Sequence, residues 1–347
     1  MEYRILGDTG LKVSAISFGN YLNSDKPDWQ ERTNQLVKKA HELGINFFDT
    51  AEVYGWGEGE KQLGIALKQL NVPREDLVIS TKLFWAVPDL KVNRTGLSRK
   101  HIVEGLNNSL AKLQLDYVDL VFCHRFDDET PLEEVCRTFD CIVKSGKAHY
   151  WGTSEWSAAN IFEAYMVCEK YNLIKPVMEQ PQYNILVRER FEKEYGRLFD
   201  KYRMGSTVWS PLAGGLLTGK YNNGIPDSEC RAKTFSDDPM IQEYIQEYLG
   251  EANKAKFISI FQRFGEVAKK IGCTQAQLAM AWVLKNKDVS SAITSASSVL
   301  QLEDTVKSLK FISLITDEIE KEINEIFDTQ PKPEPCMRTW GMKPPRR

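Results

Sequence analysis

Ile45-Asn46-Phe47-Phe48-Asp49, Leu77-Val78-Ile79-Ser80-Thr81-Lys82 and Val118-Asp119-Leu120-Val121-Phe122-Cys123-His124 are apolar, strand-forming runs. Each ends on an acid, an amine or an imidazole, and Tyr54 follows closely on the first. Between them lie amphipathic stretches at helical spacing. Ile102, Leu106, Leu110 and Leu113 fall on one face of a helix that Ser98 can cap, and a second helix is expected over roughly 58–69. Strands that alternate with helices build a barrel or a doubly wound sheet. In both folds, chemistry gathers at the C-terminal ends of the strands.

The alternation extends in both directions. Residues 3–13 read as a hairpin around Gly7-Asp8-Thr9-Gly10, and Ala15-Ile16-Ser17-Phe18 as the first buried strand. Leu36, Val37, Ala40 and Leu43 form the first helical stripe, stopped by Gly44. Downstream, strands are expected at 148–152, 177–180, 206–209 and 290–293, separated by helices that include 132–143, 158–170 and a stretch near 189–201. The total is eight strand–helix units with short connections, the count of a (β/α)8 TIM barrel. An open doubly wound sheet is disfavoured, because no glycine-rich dinucleotide fingerprint follows the first strand. One connection is long: residues 211–262, after strand 7, read as a charged loop of functional type. Thr274-Gln275-Ala276-Gln277 has capping-box form, and Thr316 can cap a C-terminal helix carrying Ile319, Ile323, Ile326 and Phe327. The expected organisation is one domain over 1–329 and a flexible, Pro-rich, basic tail over 330–347.

Composition excludes several classes. The hydrophobic share of 42% is ample for a large buried core, and a net charge of −3 favours neither nucleic acid nor an anionic membrane. The seven cysteines are scattered without a C-x-x-C pair, which suits reduced thiols in the cytoplasm. The start of the chain does not read as a secretory signal, and no run is apolar and long enough for direct membrane insertion. The four histidines have no ligand spacing, so no metal site is expected, and no G-x-S-x-G elbow occurs.

What remains is proton chemistry. A phenol titrates near 10 and is a poor acid at neutral pH unless its anion is stabilised. Lys82 is the ammonium that can do this for Tyr54, with Asp49 holding Lys82 charged and oriented. His124 can donate to a substrate oxygen that gains negative charge. Taken singly, such residues are ordinarily packing groups, rim charges or structural histidines. Their joint placement at successive strand ends is what favours a site that protonates a carbonyl oxygen.

At this point the chain resembles the aldo-keto reductase superfamily. Phe48-Asp49-Thr50-Ala51-Glu52-Val53-Tyr54-Gly55 is similar to its signature. Leu97-Ser98-Arg99-Lys100-His101-Ile102, Tyr150-Trp151-Gly152-Thr153-Ser154 and Trp209-Ser210-Pro211-Leu212-Ala213-Gly214-Gly215 look like later segments of it. Within the superfamily the resemblance is to the voltage-gated potassium-channel β-subunit group, from about Tyr3 to Phe327. It implies NADPH as hydride donor and Asp49, Tyr54, Lys82 and His124 as a catalytic tetrad. It implies that Ser154 and Gln180 hold the nicotinamide carboxamide and that Trp209 stacks on its ring. Ser210, Leu212 and Gly214 would pass the pyrophosphate, and Lys220 and Arg231 would clasp phosphate. Ser297, Gln301 and Thr305 fall in the stretch that resembles the adenosine-phosphate site. The group often has Asn where this chain has His124, and Asn where it has Thr305. Two functions follow from the resemblance: reduction of aldehydes or ketones, and service as a cytoplasmic regulatory β subunit that senses redox state through bound NADPH. The second implies a potassium-channel α subunit as partner and a homotetramer. Tyr21, Trp56, Phe84 and Trp85 are expected to wall an aromatic substrate pocket.

Overall fold

A computed structural model describes residues 1–21, 28–88, 91–228, 230–236, 238–332 and Met337. An antiparallel hairpin of β1 (Tyr3–Ile5) and β2 (Lys12–Ser14) comes first. It is followed by β3 (Ile16–Gly19), β4 (Phe47–Asp49), β5 (Val78–Leu83), β6 (Val118–Cys123), β7 (Ala148–Thr153), β8 (Met178–Glu179), β9 (Gly205–Val208) and β10 (Ser291–Thr294). These eight pair in parallel, in sequence order, and β10 returns to β3 to close the barrel. The expected (β/α)8 architecture is therefore the one observed, with strand limits displaced by one or two residues.

The hairpin has a physical task. Leu6 and Val13 are fully buried against Phe47, Val78, Leu120, Phe122 and Met178, so the hairpin plugs the N-terminal end of the barrel. Its turn fits closely: Gly7 has φ +57, and a Cβ there would lie 2.3 Å from Gly205 N. The larger core lies between strands and helices, where Ile102, Leu106, Leu110 and Leu113 are all buried as their spacing requires. Ser98 caps that helix, Arg99–Leu113, by accepting from His101 N, and Thr274 and Gln277 form a full capping box. The helix Asp317–Phe327 packs Ile323, Ile326 and Phe327 inward.

Two expectations need correction. Residues 211–262 are not a plain loop. They carry a 3₁₀ turn at Ala213–Thr218, a short helix at Arg231–Thr234 and the helix Pro239–Leu249, and run into the helix Lys254–Ile271. The glycines and prolines at its start hid a helical remainder whose apolar residues Tyr244, Tyr248, Ile260 and Phe261 are buried. The stretch near 189–201 is also not one helix. It has a π-helical turn, Arg190–Glu194, and then α-helix over Gly196–Tyr202. Of the expected tail, only residues 330–332 and Met337 lie within the described part of the chain. No helix among the described residues is long and apolar enough to cross a membrane.

Candidate functional site

The parallel register brings the strand-end residues together. Asp49 lies opposite Ser80, and Lys82 opposite Phe122, so the last residues of β4 to β6 open on one end of the barrel. Lys82 is 1% exposed. Its Nζ donates to Asp49 Oδ2 at 2.6 Å, to the Thr50 carbonyl at 2.7 Å and to the Tyr54 hydroxyl at 3.1 Å. All three ammonium donors are thus used, and one is aimed at the phenol. Asp49 Oδ1 is held separately by Ser80 Oγ at 2.7 Å and by Gln180 Nε2 at 3.1 Å.

Protonation states follow from burial and charge. Burial pulls the Lys82 ammonium down, but Asp49 and Tyr54 together outweigh it, and its pKa ends above the ordinary lysine value. Burial raises Tyr54; Lys82 opposes this, as the sequence suggested, but does not prevail, so the phenol stays protonated at neutral pH. A proton donor needs that resting state. His124 is held well below the ordinary imidazole value, first by burial and then by Lys82 and Arg125, so it is neutral. Its ring stands 5.9 Å from that of Tyr54 and 5.1 Å from that of Trp85. Its buried Nδ1 has no hydrogen-bond partner among the described residues.

The aromatic wall forms in part. Tyr21 meets Tyr54 edge-on at 5.1 Å, and Phe84 and Trp85 pack on each other at 4.6 Å beside His124. Trp56 is 72% exposed. From the far side Tyr21 donates its hydroxyl to Asp238, tying the segment after β9 across the barrel mouth.

Around this centre lie the residues expected to hold a dinucleotide. Ser154, buried, donates to the Gln180 carbonyl at 2.8 Å. Trp209 is half-buried, and its Nε1 donates to Glu155 Oε1 at 2.9 Å. Ser210 Oγ accepts from Gly214 N at 3.1 Å, while Gly214 and Gly215 have φ +64 and +101. That left-handed turn presents backbone without Cβ atoms, as a phosphate cradle needs. Leu212 lies at its head, half-buried. Arg231 stands over Tyr21, 5.8 Å from its ring centre. Its buried Nε has no acceptor among the described residues. Lys220, in contrast, is exposed at the surface. Ser297 and Gln301 are exposed and bonded to each other at 2.9 Å, and Thr305 is buried one turn further along the helix Val299–Val306. A cavity of about 450 Å³ between this helix and the helix Trp29–Glu42 is lined by Ser297 and Ser298 on one side and Gln35 on the other. An arginine with a buried Nε that has no acceptor among the described residues, on the segment that carries a bare glycine turn, fits a phosphorylated cofactor.

Residues 15–327 match the aldo/keto reductase family model. The chain belongs to the aldo/keto reductase family. It is also similar over nearly its whole length to three proteins named as voltage-gated potassium channel β subunits. A putative one from Schizosaccharomyces pombe is 46% identical over 332 residues, 95% of this chain and 94% of that one. Probable ones from Arabidopsis thaliana and Oryza sativa subsp. japonica are 39% and 40% identical over 335 residues, each 96% of this chain and 98% of theirs.

Two residues at this candidate site went unnoticed in the sequence. Arg125 NH1 donates to the His124 carbonyl at 2.5 Å and reaches Ser154 Oγ at 3.5 Å, bringing a cation to the centre. Glu155 accepts from Trp209 Nε1, from Gln182 N at 2.6 Å and from Arg190 at 2.9 Å, and does so from a backbone at φ +59. Such a backbone for a non-glycine residue is uncommon and is held only where surrounding contacts impose it. Each directly follows a residue that the sequence did single out, which was the available signal.

Proposed function

We propose that this chain reduces aldehydes or ketones to alcohols with NADPH, and that Tyr54 is the general acid. The observation that carries this reading is Lys82 Nζ placed between Asp49 Oδ2 and the Tyr54 hydroxyl. The bound nicotinamide supplies the hydride. The chain's part is to place and protonate the carbonyl oxygen. The Tyr54 phenol donates its proton to that oxygen, and Lys82, kept charged by Asp49, stabilises the phenolate left behind. His124, neutral and buried, donates a second hydrogen bond to the same oxygen. Tyr21, Phe84 and Trp85 exclude water around it.

Holding the cofactor falls to the residues described above. Ser154 and Gln180 take the carboxamide, and Trp209, fixed by Glu155, stacks on the ring. Ser210, Leu212, Gly214 and Arg231 take the pyrophosphate segment. Ser297, Gln301 and Thr305 take the adenosine end, and Lys220 reaches a phosphate from the surface. Residues 1–329 form the reductase unit. Steady-state oxidation of NADPH with a panel of aldehydes tests the reaction. Tyr54→Phe is expected to lose on the order of 10²-fold or more in turnover and to keep its affinity for NADPH. Turnover near that of the unaltered protein in Tyr54→Phe removes Tyr54 from the mechanism.

A second reading is favoured by the names of the relatives: a cytoplasmic β subunit, tetrameric, docked on a potassium-channel α subunit. The two readings are compatible, since a reductase site can serve as the sensor. Light scattering after size exclusion is expected to give four copies, and channel cytoplasmic domains from the same source should be retained. A monomer at high micromolar concentration that retains no such domain leaves the reductase alone.

A further inference from the structure

The helix Pro239–Leu249 adds a residue to the site that neither the sequence motifs nor the family signature mark. Tyr244, on that helix, is 8% exposed. Its ring covers the glycine turn after β9. A Cβ built on Gly214 would lie 3.4 Å from the Tyr244 Cδ2, which places the ring directly over that turn. The hydroxyl faces the Ser210 side chain and lies within the field of Arg231, but no partner among the described residues meets it with hydrogen-bond geometry. Burial pushes the phenol up to about 12, so it stays protonated and able to donate.

Arg231 Nε is in the same condition, buried and without an acceptor among the described residues. The carboxylate of Asp238 accepts from Tyr21 and acts on the Arg231 guanidinium through its charge. Buried donors without acceptors are rare in folded proteins, because each forfeits its bonds to water. Tyr244 stands over the left-handed glycine turn, and Arg231, from a separate element, lies within electrostatic reach of its hydroxyl. What satisfies both is a negatively charged oxygen between them.

We propose that the Tyr244 hydroxyl, together with Arg231 Nε, donates to a pyrophosphate oxygen of the dinucleotide, so that the helix Pro239–Leu249 closes the phosphate site from outside. The inference rests on the cofactor reading of the site. Tyr244→Phe removes one oxygen and keeps the ring over Gly214. Titrating the variant with NADPH and with NADH, by quenching of tryptophan fluorescence, is expected to give dissociation constants raised about tenfold or more for both, since both carry the pyrophosphate. Thermal unfolding without cofactor is expected to be unchanged or slightly higher, because the lost hydroxyl has no hydrogen-bond partner among the described residues. The stabilisation by added NADPH is expected to shrink. Unchanged affinities overturn the proposal, and a loss confined to NADPH overturns the pyrophosphate assignment. A lower midpoint without cofactor and unaltered affinity make Tyr244 a packing residue. If the unaltered protein itself fails to bind either dinucleotide saturably, the cofactor reading falls first, and the proposal with it.

Discussion

Lys82 is where the candidate chemistry and the stability of the barrel meet. Lys82 and Asp49 are both almost fully buried and lie 2.6 Å apart. Removing one partner of a buried ion pair leaves the other uncompensated, at a cost of about 3–5 kcal/mol. Lys82→Met is therefore expected to lose turnover as Tyr54→Phe does, and also to lower the urea midpoint, which Tyr54→Phe should hardly move. Equilibrium unfolding alongside stopped-flow reduction separates the two effects. Equal midpoints for Lys82→Met and the unaltered protein would mean that Asp49 finds another partner or is protonated. The residues of this centre were legible because each is a reactive type at the end of an apolar run. Glu155 and Arg125 were not, because their value lies in contacts with Trp209, Arg190 and Ser154 that only folding creates.

At the scale of elements, the helix Glu58–Leu70 sets the position of Tyr54. It begins directly under the 3₁₀ turn Tyr54–Gly57. A Cβ at Gly59 would fall 2.9 Å from the Tyr54 carbonyl oxygen and 3.0 Å from its Cβ, and the Gly59 carbonyl accepts from Asn20 at 2.6 Å. The near neighbour is backbone, so it cannot swing aside as a flexible side chain does. Gly59→Ala is thus expected to move Tyr54 and lower turnover roughly tenfold or more. NADPH affinity is expected to hold, since the residues assigned to the dinucleotide come from other elements. Part of any strain in stability is offset by the better helix propensity of alanine, worth about 1 kcal/mol. A kcat within twofold of the unaltered protein would show that the start of this helix does not position the phenol. Elements were readable where periodicity is strong and caps are explicit, as at Ser98 and Thr274. They were unreadable where tertiary packing overrides local signal. The segment after β9 opens on a run rich in Gly, Asn and Asp that reads as loop, and its helices, Pro239–Leu249 and Lys254–Ile271, are held by the aromatic residues Tyr244, Tyr248, Phe261 and Phe264 that they bury.

At the scale of the whole molecule, the barrel was legible because eight repeats of one simple unit each left a weak trace, and the traces reinforce one another. Plugging by the hairpin was not, since nothing local says that Leu6 and Val13 face Phe47 and Met178. The barrel also buries two titratable groups that act on global stability in opposite directions. His124 has a folded pKa depressed by burial, so its contribution is full above the ordinary imidazole value and is lost as pH falls toward the folded one. Glu179 is fully buried, accepts from Thr153 and is approached by the Tyr195 hydroxyl at 3.4 Å. Burial raises its carboxyl from 4.5 to about 8. Its contribution is therefore full below the ordinary carboxylate value and is lost as pH rises from there through about 8. Between the ordinary imidazole value of about 6.5 and the raised carboxyl, Glu179 acts without opposition from His124, with a limiting slope of about 1.4 kcal/mol per pH unit. Glu179→Gln keeps the shape and removes the proton. Urea midpoints measured at pH 6.5 and pH 8 are expected to fall for the unaltered protein and to stay level, or fall much less, in Glu179→Gln. An equal fall in both would mean that Glu179 is already ionised in the fold, with the cost of its burial met by Thr153 and Tyr195.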